Sequence, residues 1–286
     1  MTEKKRILIT GANGFTGRYL VPFLSLGTSS ELFLADHSAP SVPDPRFSVC
    51  DLSVAPEVTS LINTVRPHAI YHLVGSYTNE YDIDYASNVV TTRNILNAVR
   101  TANLQTRILL VGSSAEYGFP LSEDKAVTEE HPLLPVSIYG LMKVYQTTLM
   151  GVYVRLYGMD IVMVRPFNLY GKGISERLLS GKMEREIERY KQGKIQRMET
   201  GDLSIERDYI DINEAIKYYS VVLEKGKKGE IYNVGSGKST PLRDRVSSML
   251  TAEGLSLAIV KETAHSTPGK IAVRKIVADI SKISSL

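Results

Sequence analysis

Tyr139 and Lys143 stand four residues apart in the stretch Ile138 to Leu156, whose apolar residues recur at helical spacing, so both side chains should project from one helix face. A free tyrosine phenol ionises at a pH of about 10 and is a poor proton donor or acceptor at neutrality. A nearby ammonium favours the phenolate and brings that value toward the working range of an acid or base catalyst. Three other strings fall in order around this pair. Ser113-Ser114 precedes it and Arg165-Pro-Phe-Asn168 follows it. Near the start of the chain, Gly11-Ala-Asn-Gly14-Phe-Thr-Gly17 follows the apolar run Arg6-Ile-Leu-Ile-Thr10 and opens onto Phe15-Thr-Gly-Arg-Tyr-Leu-Val21. That is a strand, a tight glycine turn and a helix. Glycine admits a pyrophosphate close to the backbone, and the helix N-terminus offers free N–H groups and a positive dipole end. Taken singly, each string also fits an ordinary turn or a chance pair on a helix.

The elements that must position these groups alternate. Strands are expected near Ile7 to Thr10, Leu32 to Ala35, Phe47 to Cys50, Ala69 to Val74, Ile108 to Gly112 and Ile161 to Arg165, with helices between them. This is the pattern of an α/β fold, a doubly wound parallel sheet of the Rossmann kind with helices on both faces. Ligands of such sheets sit beyond the carboxyl ends of the strands, and the glycine turn, Asp36, Asp51, Gly75, Ser113 and Asn168 all follow strand ends. Asp36 comes about 20 residues after the glycine turn, where a carboxylate can accept both ribose hydroxyls of NAD and would repel a 2′-phosphate; the alternative is a turn cap before Ser38. After Arg165 the alternation decays. Lys182 to Lys191 reads as a charged helix, Asp208 to Lys225 as a strand and helix returning to the sheet, and the remainder as a small α+β cap. The expected division is residues 1–165 for the dinucleotide-binding domain and 166–286 for a C-terminal substrate-binding cap, with about 208–225 rejoining the sheet.

Composition excludes several classes. A net charge of +3 is too small for a nucleic-acid footprint, and Lys225-Gly-Lys-Lys228 reads as a solvated loop. With one cysteine, Cys50, there is no internal disulfide, and the start of the chain has no apolar leader core, so a reducing cytoplasm is the expected setting. No apolar run approaches membrane-spanning length. The five histidines, His37, His68, His72, His131 and His265, show no metal-ligand spacing with one another or with Cys50, and His72, in an apolar strand, reads as a satisfied core residue. Tyr117, Tyr145 and Tyr153 read as packing.

In the order and spacing of its motifs the chain resembles the extended short-chain dehydrogenase/reductases, which act on nucleotide sugars. The resemblance runs through Asp51-Leu52, His72-Leu-Val-Gly75, Asn88-Val-Val-Thr-Thr-Arg-Asn-Ile-Leu96, Tyr117-Gly118, Arg207-Asp-Tyr-Ile-Asp211 and Glu230-Ile-Tyr-Asn-Val-Gly-Ser-Gly237. It implies that Tyr139 is the general acid/base, that Lys143 holds the nicotinamide ribose and lowers the tyrosine pKa, and that Ser113 hydrogen-bonds the reacting oxygen. It implies a cofactor site made by Gly11, Asn13, Gly14, Phe15, Thr16, Gly17, Asp36, Asp51, Leu52, Leu73, Val74, Gly75, Tyr139, Lys143 and Arg165. The substrate would meet Ser114, Ala115, Asn168 and Arg207, the last two at its pyrophosphate, unless Arg207 pairs with Asp208 or Asp211. NAD(H) is the expected cofactor on the strength of Asp36, with NADP(H) open because several such reductases prefer NADPH. The resemblance also implies a homodimer.

Related 4,6-dehydratases carry an acidic base two residues before the Tyr-Gly pair, where this chain has Ala115; Glu116, one residue on, should point the other way. Dehydration is therefore disfavoured. Reduction of a 4-keto sugar and 4-epimerisation with tightly bound NAD both need only the Ser-Tyr-Lys set. Arg165-Pro-Phe-Asn-Leu-Tyr-Gly171, Thr200 to Asp211 and Gly229 to Gly237 look most like GDP-4-keto-6-deoxy-mannose reductases, which implies a GDP-linked substrate. A catalytically idle dinucleotide-binding protein is the remaining alternative. Two departures stand out: Leu169-Tyr170-Gly171-Lys172 replaces the reductases' His-x-Gly-Pro, and no Gly-Trp-x-Pro turn follows Ala278-Asp-Ile-Ser-Lys282, so the cap is expected to be truncated or minimal.

Overall fold

The computed structural model of the chain describes residues 4–27, 29–123, 125–263 and 273–286; His265 and the first three residues lie outside them. Seven parallel strands form one sheet in the order Ile231–Val234, Ile161–Pro166, Arg107–Val111, Ala69–His72, Arg6–Thr10, Glu31–Asp36 and Phe47–Val49. Strands of such a sheet are buried on both faces and read as continuous apolar runs. Leu8 and Ile9, adjacent and pointing to opposite faces, are both fully buried. On one face Phe15–Gly27 and Ile212–Lys225 pack around Leu20, Ile216 and Tyr219; on the other Ala55–Val65, Thr91–Thr101 and Ile138–Tyr157 pack around Ile62, Leu96 and Met150. The helices of both faces thus shield a sheet whose carboxyl edge is left open.

The segment 208–225 departs from expectation in one respect. Its helix lies on the sheet, but its strand Tyr209–Asp211 pairs with Asn168–Tyr170 in a separate two-stranded sheet. The strand that enters the main sheet is Ile231–Val234, beside Ile161–Pro166. Its sequence, Ile-Tyr-Asn-Val, carries two buried residues with polar groups that find partners: the Tyr232 hydroxyl accepts the Lys227 N–H, and Asn233 bonds Tyr117, Val127 and Glu129. Beyond the sheet, helices Leu179–Lys191 and Leu242–Ala252 pack on short strands through Met183, Ile187, Met198, Val246 and Leu250. This second small core overhangs the carboxyl edge.

Candidate active site

Two clefts open at that edge. The larger, of about 560 Å³, lies between the strand ends and the small core, and Ser113, Ser114, Ala115, Tyr139, Asn168 and Arg207 all line it. Ser113 stands just past the strand Arg107–Val111 and caps the single turn Ser114–Glu116: its Oγ accepts the Ala115 N–H at 3.1 Å, while its own N–H donates to Glu116 Oε1 at 2.9 Å. Tyr139 is the second residue of helix Ile138–Tyr157, whose first turn is fixed by Ser137 Oγ accepting the Gly140 N–H at 3.0 Å. Its ring stands edge-on to Tyr77, centroids 5.0 Å apart. Its phenol and the Ser113 hydroxyl face the same cleft.

Burial decides the protonation of this pair. It pushes the Tyr139 phenol up to about 12, against the downward pull of the Ser113 hydroxyl. It pushes the Lys143 ammonium down to about 8, against the attraction of Glu116 and Asp84. The influences on the phenol are its burial, Ser113, Glu116, Tyr77 and Asp84. Lys143 Nζ donates to the Val111 carbonyl at 2.8 Å and to Gln146 Oε1 at 3.1 Å, away from the phenol oxygen. At neutral pH Tyr139 carries its proton, which is the state of a donor.

The second cleft, of about 490 Å³, is lined by Gly11, Asn13, Gly14, Asp36, Asp51, Leu52, Leu73, Val74 and Gly75. Gly11 sits at φ +73°, and a Cβ there would press within 3.1 Å of the Leu73 and Val74 backbone. The wall is thus bare backbone, as a pyrophosphate cradle requires. Asp36 accepts the Asn13 N–H at 3.0 Å and the His37 N–H at 2.8 Å, which fixes its carboxylate at the end of the second strand. Beside Gly75 the buried Asn88 Oδ1 has no hydrogen-bond partner, and Lys143 Nζ approaches from the Tyr139 helix. A glycine cradle, an acidic strand end and an unsatisfied polar atom near Lys143 fit a dinucleotide laid along this edge, its adenosine half toward Asp36 and Asp51.

Four expected cofactor contacts, Arg165, Phe15, Thr16 and Gly17, lie outside the second cleft. Arg165 is 1% exposed and lines neither cleft; its guanidinium binds Glu116 Oε2 at 2.9 Å and the Tyr117 hydroxyl at 3.2 Å. Its guanidinium is thus turned to a carboxylate behind the site and to neither cleft. Phe15 lines the larger cleft, and Gly17 packs inside the first helix against the Gly11 and Ala12 carbonyls. Thr16, between them, lines neither cleft. Glu116 is fully buried and turned away from the larger cleft, as its place beside Ala115 implies. His72 is satisfied in the core: Thr10 Oγ1 lies 2.8 Å from its Nδ1 and Thr92 Oγ1 3.2 Å from its Nε2.

Arg207 pairs with neither Asp208 nor Asp211. Its guanidinium donates to the carbonyls of Glu206 and Val273, each at 2.8 Å, while Asp208 accepts from Ser236 and Gly237 and Asp211 caps the next helix. Among the described residues it is the single charged side chain lining the larger cleft. Sequence reading missed Tyr77 and the start of helix Leu179–Lys191. Leu178, Leu179 and Ser180 line the cleft, no side chain caps that helix, its first turn has no acidic residue, and the buried Ser180 Oγ has no partner. The signal was there as a helix start without a capping residue. Free N–H groups, an unpaired hydroxyl and a desolvated guanidinium in one cleft make an anion subsite.

The fold and this pair of clefts define an enzyme of the extended short-chain dehydrogenase/reductase class. The chain belongs to the NAD dependent epimerase/dehydratase family, whose model matches residues 7–235. It is 27% identical over 267 residues to the GDP-6-deoxy-D-mannose reductase of Pseudomonas aeruginosa, covering 91% of this chain and 84% of the relative. It is 26% identical over 275 residues to the UDP-glucose 4-epimerase of Mycolicibacterium smegmatis, covering 87% and 83%. Its fold matches the solved structure of RMD from Pseudomonas aeruginosa complexed with NADPH, with a TM-score of 0.85 and 23% identity over 99% of this chain and 92% of that one. Among the described residues no helix is long and apolar enough to cross a membrane, and no cluster of side chains could hold a metal ion.

Proposed function

We propose that the protein reduces the ketone of a nucleotide-bound 4-keto-6-deoxy sugar, GDP-linked as in its reductase relative. The observation that carries this reading is the wall of the larger cleft. Ser113 and Tyr139 face it together, and among the described residues no carboxylate does. The dinucleotide, held by Gly11, Asn13, Gly14, Asp36, Asp51 and Gly75, supplies a hydride when bound. Ser113 and Tyr139 donate hydrogen bonds to the ketone oxygen and stabilise the charge that grows there, and Tyr139 delivers the proton. A protonated phenol suits that direction of reaction. Lys143 lines neither cleft but brings its Nζ up behind Gly75, from where it would donate to ribose hydroxyls. Arg207, Ser180 and the N–H groups of Leu179 and Ser180 would receive the diphosphate, with Asn168 at its edge.

Dehydration would need a base at the sugar C5, and Ala115 offers none. Epimerisation uses the same donor set, and the similarity to an epimerase keeps it as the second reading. Reduced-nicotinamide absorbance, followed with GDP-4-keto-6-deoxy-mannose and then with GDP-mannose, separates the three reactions. Consumption of NAD(P)H with the first sugar and no conversion of the second is the expected result. Interconversion of two sugars without net cofactor loss, or dehydration of GDP-mannose, overturns the assignment. The homodimer and the NADH preference belong to the same proposal, the first read by sedimentation and the second below.

A further inference from the structure

The buried carboxylate of Glu116 lines neither cleft, yet it is bonded on every side beside the reacting hydroxyls. Its Oε1 accepts the Ser113 N–H at 2.9 Å. Its Oε2 accepts the Thr147 hydroxyl at 2.6 Å and Arg165 Nε and Nη2, each at 2.9 Å. Arg165 is held in turn by the Tyr117 hydroxyl at 3.2 Å and lies 5.0 Å from the centre of the Tyr117 ring. Space for the carboxylate is made by Gly112, where a Cβ would collide with Glu116 Oε1 and come within 3.3 Å of Arg165 Cγ. Glu116 and Ser113 together form a reciprocal capping box around the single turn that carries Ser114 and Ala115 into the cleft.

We propose that Glu116 is the positioning residue of the reacting serine: through the Ser113 N–H it fixes the turn from which the hydroxyl meets Tyr139, and Arg165 and Thr147 fix Glu116. The inference rests on the roles given to Ser113 and Tyr139 above. An apolar residue could fill the space but could not accept the Ser113 N–H, which would then be orphaned in the interior. Glu116 also presents a fixed negative charge from behind the site. That charge favours the protonated forms of Tyr139 and Lys143. Asp84 faces both groups with the same sign, Tyr77 faces Tyr139, and His72 faces Lys143.

Three variants assayed with a 4-keto sugar nucleotide and NADH test the proposal. Glu116→Gln keeps the length and the acceptor while removing the charge; it should keep kcat within about tenfold and move the alkaline limb of the kcat profile to lower pH by about half a unit. Glu116→Ala with Arg165→Met removes the acceptor and leaves no buried ion unpaired. It should lower kcat by about 10²-fold, the effect of a misplaced reacting group, and leave the Kd for NADH within about twofold. Undiminished kcat in the folded double variant, or an unmoved alkaline limb in Glu116→Gln, overturns the inference. Ser113→Ala, run in parallel, separates the two levels. Full turnover in Ser113→Ala removes the functional reading and the inference with it, whereas loss there beside unaffected Glu116 variants removes the inference alone.

Discussion

Lys143 Nζ lies 5.8 Å from the centre of the Tyr139 ring, yet its hydrogen bonds go to the Val111 carbonyl and Gln146. The two side chains share a helix face and a desolvated site, and burial moves their proton affinities in opposite directions. The phenol is driven up to about 12 and the ammonium down to about 8. The lysine charge is therefore present below about pH 8 and lost as pH rises through it. Affinity for NADH, read by its fluorescence, should weaken several-fold between pH 7 and pH 9.5 if that ammonium holds ribose hydroxyls. Lys143→Met should bind more weakly and with little pH dependence. Equal pH dependence in both proteins would assign the effect to another group.

Asp36 lines the second cleft with its carboxylate pinned by the Asn13 and His37 N–H groups. A fixed negative charge at the ribose end should favour NADH over NADPH, and Asp36→Ala should narrow or invert the preference. Comparing kcat/KM for both cofactors in both proteins decides it. An unmutated enzyme faster with NADPH would mean that the 2′-phosphate lies clear of Asp36.

The anion subsite should answer in KM. Arg207→Ala should raise KM for the sugar nucleotide by about 10- to 100-fold, the weight of a charge-assisted hydrogen bond. Ser180→Ala should raise it by about fivefold, near that of a neutral one. KM for NADH should stay constant in both. Loss of kcat without change in KM would move Arg207 from the diphosphate to the reacting end.

His72 makes the fold acid-sensitive. Burial holds its imidazole down to about 3, against 6.5 in a free residue, so as pH falls the unfolded chain takes up this proton first. Stability should therefore decline from about pH 6.5 toward pH 3, by on the order of a few kcal/mol from this residue. His72→Gln keeps polar partners for Thr10 and Thr92 without titrating. Its melting temperature should fall less steeply between pH 6.5 and pH 4.5, and identical slopes would place the acid sensitivity elsewhere.

Much of this was legible in the sequence because a parallel sheet writes itself plainly. Six strands stood out as apolar runs, and the residues just past their ends, Asp36, Asp51, Gly75, Ser113 and Asn168, line the two clefts. The edge strand Ile231–Val234 was hidden because Asn233 in its middle is polar, and the partners that let it be buried, Tyr117, Val127 and Glu129, lie more than 100 positions away. Arg165, which the resemblance places at the cofactor, is held behind the site by Glu116, a partner 49 positions away that only the fold brings to it. The cap's contribution was hidden in part for a related reason. Leu178, Leu179 and Ser180 reach the cleft through the packing of helix Leu179–Lys191 over it; the uncapped start of that helix is a local sign of free N–H groups but does not say where they point.

The central claim is that Tyr139, whose phenol faces the larger cleft with Ser113, delivers the proton to a ketone. Tyr139→Phe removes that one hydroxyl and leaves the ring against Tyr77. Turnover of a 4-keto sugar nucleotide with NADH, followed by reduced-nicotinamide absorbance, should fall by about 10² to 10⁴, with melting temperature and NADH affinity nearly unchanged. Near-normal turnover in Tyr139→Phe would contradict the account.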